Sequence, residues 1–285
     1  MKPTTKTIAF CGEHGAFAEL ALFRAFGAEA PTLPVASFAG VFDTVMAGSA
    51  AFGVVPVENS LTGSVHENYD LFLRYPDIVI AGEVKIRVVH NLVVHPAAGW
   101  DDIKIIRSHP QALAQCKAFL DQRPDWRLEA WSNTAAAVVS IAREKKAPQT
   151  IAAIASGIAA KLNGLKVLKE GIETNPANYT RFVIIAPRRG GESPGPSGEP
   201  DDKASVVFSI RDEPGALCSC LNILSEKNIN LSKIESRPIH GQPWHYLFYL
   251  DLGIPGEPGV FDAAIKALQE KTGEFYFLGS YRAAR

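Results

Sequence analysis

With 285 residues and 47% hydrophobic content, the chain is too long for one small domain and can fill two or three cores. Its 29 basic and 30 acidic residues leave a net charge of −1, and no tail carries a block of like charge, which argues against nucleic acid or an anionic membrane as partner. No uncharged apolar run approaches the roughly 18 residues of a membrane span.

The start, MKPTTKTIAFCGEHG, lacks an apolar h-region, so no signal peptide is expected. TIAF predicts a strand leading into a helix around Ala16–Phe26, and a second helix near Phe38–Gly48 precedes the strand AFGVVPV. VHENYDLFLR reads as a helix, followed by the β-branched run IVIAGEVKIRVVHNLVVH. IKIIRSH predicts a strand, PQALAQCKAFLDQ a helix, RLEAW a short strand and NTAAAVVSIAREK another helix, before TIAAIAS and KLNGLKVL. This alternation predicts an α/β fold with mainly parallel strands, whose ligands sit outside the C-terminal strand ends. Residues 187–203, PRRGGESPGPSGEPDDK, cannot bury enough surface to offset their ordering entropy and read as a linker. Beyond it the order strand, helix, strand, strand, helix, strand predicts a ferredoxin-like βαββαβ module of about 80 residues.

Polar motifs fall at the strand ends. VVPVENSLTGSV places Asn59 and Ser60 after a strand; helix-capping hydroxyls and a donor-rich anion cradle explain it equally well. IIRSHPQALAQC puts Ser108 at an N-cap position, Pro110 in the first turn, and Gln111 and Gln115 on one helix face. A capped surface helix is the plainer account, and His109 suits a loop role. SNTAAAV, with Thr134, is a third polar helix entry, and three such turns in one unit can converge on an anionic ligand. ETNPANYTRFVII runs Asn175, Asn178, Thr180 and Arg181 into an apolar strand, where an arginine can clamp a carboxylate or form a surface ion pair. Cys11, Cys116, Cys218 and Cys220 form neither a disulfide framework nor a zinc spacing, which predicts a soluble, reduced, cytoplasmic protein. The histidines make no metal pattern and no nucleotide-binding glycine loop occurs, so neither metal nor cofactor is expected.

In this order and spacing, VPVENSLTGSVHENYDL, SHPQALAQC, NTAAAV, NYTRFVII, PGAL and INLSKIESRP resemble prephenate dehydratase. The resemblance implies a two-lobed catalytic domain shaped like a periplasmic binding protein over residues 1–187, with crossing strands near 80–86 and 165–175. A linker at 188–202 and an ACT-type regulatory domain at 203–285 follow. It implies Thr180 as the catalytic donor, and Asn59, Ser60, Ser108, Gln115, Thr134, Arg181 and Phe182 as substrate-binding residues converging on one pocket. Gly215, Ala216, Leu217, Glu235, Ser236, Arg237 and Pro238 would bind the effector L-phenylalanine between subunits of a homo-oligomer, a dimer or a tetramer. Two departures stand out: Ala18 where the family usually carries a hydroxyl, and Cys218 where it has a branched aliphatic.

The implied reaction removes carbon dioxide and the ring hydroxyl from the prephenate dianion to give phenylpyruvate in phenylalanine biosynthesis. Aromatisation drives it, so no cofactor is needed. Arogenate dehydratase fits the same motifs, and a non-catalytic amino-acid sensor is an alternative that the presence of Thr180 opposes.

Overall fold

In the computed structural model the described residues are 7–145, 148–188, 200–239, 241–242 and 244–284. Most of the expected linker lies outside them. The chain divides into two compact units, Met1–His66 with Lys85–Phe182, and Glu67–Val84 with Val183–Arg285. Two of the boundaries between them fall within strands, Ile78–Arg87 and Tyr179–Pro187.

The first unit contains β1 (Ile8–Cys11), α1 (Phe17–Phe26), β2 (Thr32–Val35), α2 (Phe38–Met46), β3 (Phe52–Asn59) and β4 (Gly63–Ser64). After α3 (His66–Arg74) and β5 (Ile78–Arg87) come β6 (Asn91–Val94), β7 (Ile105–Ser108), α4 (Pro110–Gln115), α5 (Lys117–Leu120) and β8 (Arg127–Ala130). This part of the chain closes with α6 (Thr134–Ala142), β9 (Ile151–Ala155), α7 (Gly157–Leu162), β10 (Lys166–Lys169) and β11 (Tyr179–Pro187). One sheet has the order β2-β1-β3-β11-β5, and a second has the order β10-β6-β9-β7-β8.

The second sheet shows why its strands are so apolar. Leu92, Val94, Ala152 and Ile154 face one core with Ala112, Cys116 and Leu120 of α4 and α5. Val93, Ile151, Ala153 and Ala155 face another core with α6 and α7. Side chains alternate along a strand, so a strand covered on both faces must be apolar at every position. The sheet is mixed rather than mainly parallel. β7 runs parallel to β8 and β9, joined through helices, but β6 pairs antiparallel with β9 and β10.

The chain passes between the two sheets twice, at residues 88–90 and 170–178. The first passage lies just beyond the span expected from sequence, 80–86, and the second overlaps its expected span, 165–175, and runs a few residues past it. The two passages bond side by side: Val88 N donates to Asn178 O at 2.8 Å, and Ile172 N to His90 O at 2.9 Å. The helix expected over PQALAQCKAFLDQ breaks at Cys116, because Gln115 O accepts from Thr174 N at 2.8 Å and Thr174 Oγ1 accepts from Ala118 N at 3.2 Å. Backbone groups drawn to the second passage interrupt the helical ladder there.

In the second unit β12 (Lys203–Ser209), α8 (Ala216–Glu226), β13 (Leu231–Pro238), β14 (Tyr246–Gly253), α9 (Val260–Lys271) and β15 (Phe275–Tyr281) follow the expected βαββαβ order. They form an antiparallel sheet ordered β13-β14-β12-β15. Val206, Phe208, Leu250 and Leu252 face α8 and α9. The alternate residues Lys203, Ser205, Tyr249 and Asp251 face the other way. There Lys203 Nζ meets Glu83 Oε2 at 2.9 Å and Asp251 Oδ2 at 3.5 Å. Tyr249 OH donates to Tyr69 O at 3.0 Å, and Arg237 holds Asp70 through both carboxylate oxygens at 3.2 and 2.8 Å. Helix α3 and the start of β5 thus pack with this module.

Candidate functional site

Strand β3 ends on Asn59, which is buried. Its Oδ1 accepts from the backbone N–H groups of Leu61 at 3.0 Å and Thr62 at 3.1 Å, an Asx-type turn that ends the strand. Two backbone donors fix which end of the amide is oxygen. The Asn59 Nδ2 group therefore donates, to Asn178 Oδ1 at 2.7 Å, Tyr179 O at 3.1 Å and Thr180 Oγ1 at 3.0 Å. Asn178, with its oxygen engaged, turns its Nδ2 to Gln115 Oε1 at 3.1 Å. Gln115 Oε1 also lies 2.8 Å from His90 Nε2. The polarity set at Leu61 and Thr62 passes through three amides.

One consequence concerns Thr180. Its oxygen accepts from Asn59, so its hydroxyl hydrogen is left to donate elsewhere. Thr180 lines a cavity of about 570 Å³ together with Asn59, Gln115, Thr134, Phe182 and His90. No Asp, Glu, Lys or Arg is among the described residues lining it. Such a wall offers hydroxyl, amide and helix-terminal N–H donors to an anion without a formal countercharge. Asn133 caps α6 by accepting from Ala136 N at 2.7 Å, which places Thr134 in a first helical turn whose N–H groups have no intrahelical acceptor.

The walls meet closely. Gly15, with φ +91°, follows β1, and a Cβ there would lie 2.5 Å from the Ala159 Cα of α7. Ser156 Oγ donates to Gly15 O at 2.6 Å. Near the cavity, Gln111 Nε2 donates to Thr62 Oγ1 at 2.9 Å.

Three residues expected at the pocket do not line it. Ser108 is fully buried and donates to Ile154 O at 2.7 Å; the N-cap of α4 is His109, whose Nδ1 accepts from Gln111 N at 3.2 Å. Ser60 donates to Ala177 O at 2.9 Å and accepts from Tyr179 N at 2.9 Å, fastening the loop after β3 to the start of β11. Arg181 sits between Thr180 and Phe182, so strand alternation turns it to the opposite face of β11, where its Nε lies 3.8 Å from Glu58 Oε2. Sequence reasoning missed His90 as part of the site, and it noted Asn178 in the polar entry to β11 without giving it a role. His90 lies in a β-branched run that reads as core, although the polar pair His90–Asn91 interrupts that run at the passage between the sheets.

The sequence model described as prephenate dehydratase matches residues 8–189, and that of the ACT domain matches residues 204–270. The chain belongs to the prephenate dehydratase family. It is 40% identical over 283 residues to the bifunctional chorismate mutase/prephenate dehydratase of Stutzerimonas stutzeri, covering 97% of this chain and 73% of that one. The structure of prephenate dehydratase in complex with L-Phe from Arthrobacter aurescens superposes with a TM-score of 0.85 at 33% identity, covering 97% of this chain and 89% of that one. A structure described as GqqA, a novel type of quorum quenching acylases, gives 0.86 at 30% identity, covering 98% of both chains.

Of the two family departures, Ala18 lies on the cavity wall, so a methyl group stands where a hydroxyl is usual. In the ACT domain, Gly215, Ala216, Leu217 and Cys218 line a second cavity of about 320 Å³ with Trp244 and Tyr246. Gly215 has φ +81°, a left-handed conformation that favours glycine, at the N-cap of α8. Glu235, Ser236, Arg237 and Pro238 lie on β13, an edge strand, and do not line that cavity. Arg237 faces Asp70.

Proposed function

We propose that this chain converts prephenate to phenylpyruvate, carbon dioxide and water, under feedback control by L-phenylalanine. The observation that carries the reading is the Thr180 hydroxyl, whose oxygen is occupied by Asn59 and whose hydrogen is available on a cavity without formal charge. The ring C–O and C–COO⁻ bonds break, the electron pair of the C–COO⁻ bond completes the aromatic ring, and the leaving oxygen takes up a proton from solvent, one per turnover, to depart as water. Thr180 stabilises charge on that oxygen as a hydrogen-bond donor. Thr134 and the first turn of α6 take a carboxylate, Gln115 helps shape the wall, and Phe182 supplies an apolar face. A neutral wall suits the step: a tight ion pair to the departing carboxylate would stabilise the ground state. Ser60, Ser108 and Arg181 act as supports, through the contacts given above. Purified protein mixed with prephenate, with phenylpyruvate followed by absorbance and arogenate run alongside, tests the reading. Absence of phenylpyruvate would sink it, and faster turnover of arogenate would reassign the substrate.

The catalytic domain spans 1–187, the linker 188–202 and the regulatory domain 203–285. Phenylalanine binds between two ACT domains of a homo-oligomer, a dimer or a tetramer, with Gly215, Ala216 and Leu217 from one copy and Glu235–Pro238 from another. Their separation within one chain and the position of β13 at the end of the sheet order among the described residues support this arrangement. Gly215→Val and Glu235→Ala should relieve inhibition while leaving uninhibited turnover intact; equal sensitivity to phenylalanine in mutant and parent would remove the site. Four free cysteines are in keeping with the cytoplasm, and no helix among the described residues is long and apolar enough to cross a membrane.

A further inference from the structure

His90 is 2% exposed, lines the cavity, and has an Nδ1 atom with no hydrogen-bond partner among the described residues. Its Nε2 lies 2.8 Å from Gln115 Oε1, which the amide chain from Leu61 and Thr62 fixes as an acceptor. Nε2 therefore carries the hydrogen and Nδ1 a lone pair. Burial pushes the imidazole below its ordinary pKa of 6.5, against the opposing pull of the Gln115 bond and the Glu173 carboxylate, so the ring is neutral. The residue is held on several sides. Its backbone N–H donates to Glu173 Oε2 at 3.0 Å, its carbonyl accepts from Ile172, and Phe17 meets the ring edge-on at 5.7 Å. The titratable groups around it are Glu173, which faces Arg87 at 3.4 Å, and His109 and Cys11 elsewhere on the cavity wall. A buried acceptor without a donor is costly, and the cavity is where a donor can arrive.

We infer that His90 Nδ1 accepts the hydrogen of the substrate's ring hydroxyl and so presents that oxygen's lone pairs to Thr180. The inference rests on the dehydratase reading. Prephenate carries two carboxylates, a keto group and one hydroxyl, so at neutral pH the hydroxyl is its single donor. A hydroxyl has one hydrogen and two lone pairs, which lets it lie between an acceptor, His90, and a donor, Thr180. As the leaving oxygen gains its proton its hydrogens become more acidic, and the contact to Nδ1 strengthens toward the transition state. His90 transfers no proton in this scheme.

Two substitutions separate contact from support. His90→Gln can still donate to Gln115 from its amide but has no acceptor at the Nδ1 position. His90→Asn places an amide oxygen near Nδ1 and loses the Gln115 bond. With prephenate as substrate, His90→Gln should lose about 10-fold or more in kcat and His90→Asn less. The parent's kcat/KM should fall as pH drops through a pKa below 6.5, because protonated Nδ1 no longer accepts; His90→Gln should lack that limb. The reverse order of the two variants marks a purely supporting role and overturns the inference. So does kcat/KM that rises on the acid side through this group, as a carboxylate held by a protonated ring requires. Should either variant fail to fold, nitrogen-15 histidine spectra of Thr180→Val decide. A pyridine-type Nδ1 signal that moves on adding prephenate supports the contact, and a protonated Nδ1 or an unmoved signal removes it. An inactive parent removes the dehydratase reading and the inference together, whereas an active parent with the wrong variant order removes the inference alone.

Discussion

Beside the cavity, Asn59, Asn178, Gln115 and His90 are joined through neutral groups, whereas in the second unit Lys203, Glu83 and Asp251 form a buried cluster of formal charges. Both sets are shielded from water, yet they control different things. The charged cluster, with Ser205 donating to Asp251 at 2.6 Å and Ala284 N to Glu83 at 2.9 Å, fixes where β5 lies on the ACT sheet. Coulomb attraction does that without regard to which atom points where. The amide chain fixes hydrogen directions instead. Each amide has one accepting and one donating end, so two backbone N–H groups at its origin determine what Thr180 and His90 offer to a ligand. A site that must bind a dianion and release neutral carbon dioxide gains from directed neutral donors. A structural joint gains from charge.

Removing charge from the charged region should have the larger effect on stability. Lys203→Met leaves Glu83 and Asp251 buried without their cation and should cost about 3–5 kcal/mol, read by urea unfolding. A loss below about 1 kcal/mol would mean that the cluster is solvated in a way the contacts do not show. Adding charge to the neutral region is the converse. Asn178→Asp sets a carboxylate oxygen against Gln115 Oε1 in a fully buried position, and should cost about 2–3 kcal/mol while lowering kcat/KM about 10-fold. Unchanged kinetics would break the link between the amide chain and the site. The half-exposed pair Arg237–Asp70 marks the middle ground, and Asp70→Asn should cost about 1 kcal/mol or less in the same unfolding experiment. The smallest effect belongs to the exposed Gln111–Thr62 bond. Gln111→Ala should change KM by no more than about 3-fold and leave stability within about 0.5 kcal/mol.

The βαββαβ module and the strand-to-helix turns were legible because each is local: alternation, turn residues and caps repeat within a few positions. Asn59, Gln115, Thr134, Thr180 and Phe182 reach one cavity from such turns. Arg181 was expected at the pocket as well, although alternation alone turns it away from Thr180 and Phe182. The place of Ser108 was not legible, because its partner, Ile154 O, belongs to a strand 46 residues away. Nor was the kink at Cys116, which depends on Thr174 of the second passage. His90 was hidden for a related reason. Its tautomer follows from Gln115, Asn178 and Asn59, residues that only the folded passages bring into line.

The central claim is that Asn59 occupies the oxygen of Thr180 and leaves its hydrogen for the substrate. The direct measurement is kcat on prephenate for Thr180→Ser and Thr180→Val side by side. Serine keeps the hydroxyl and should stay within about 10-fold of the parent, while valine keeps the shape alone and should fall by about 10²-fold or more. Valine turning over as fast as serine, in a folded protein, would contradict the account.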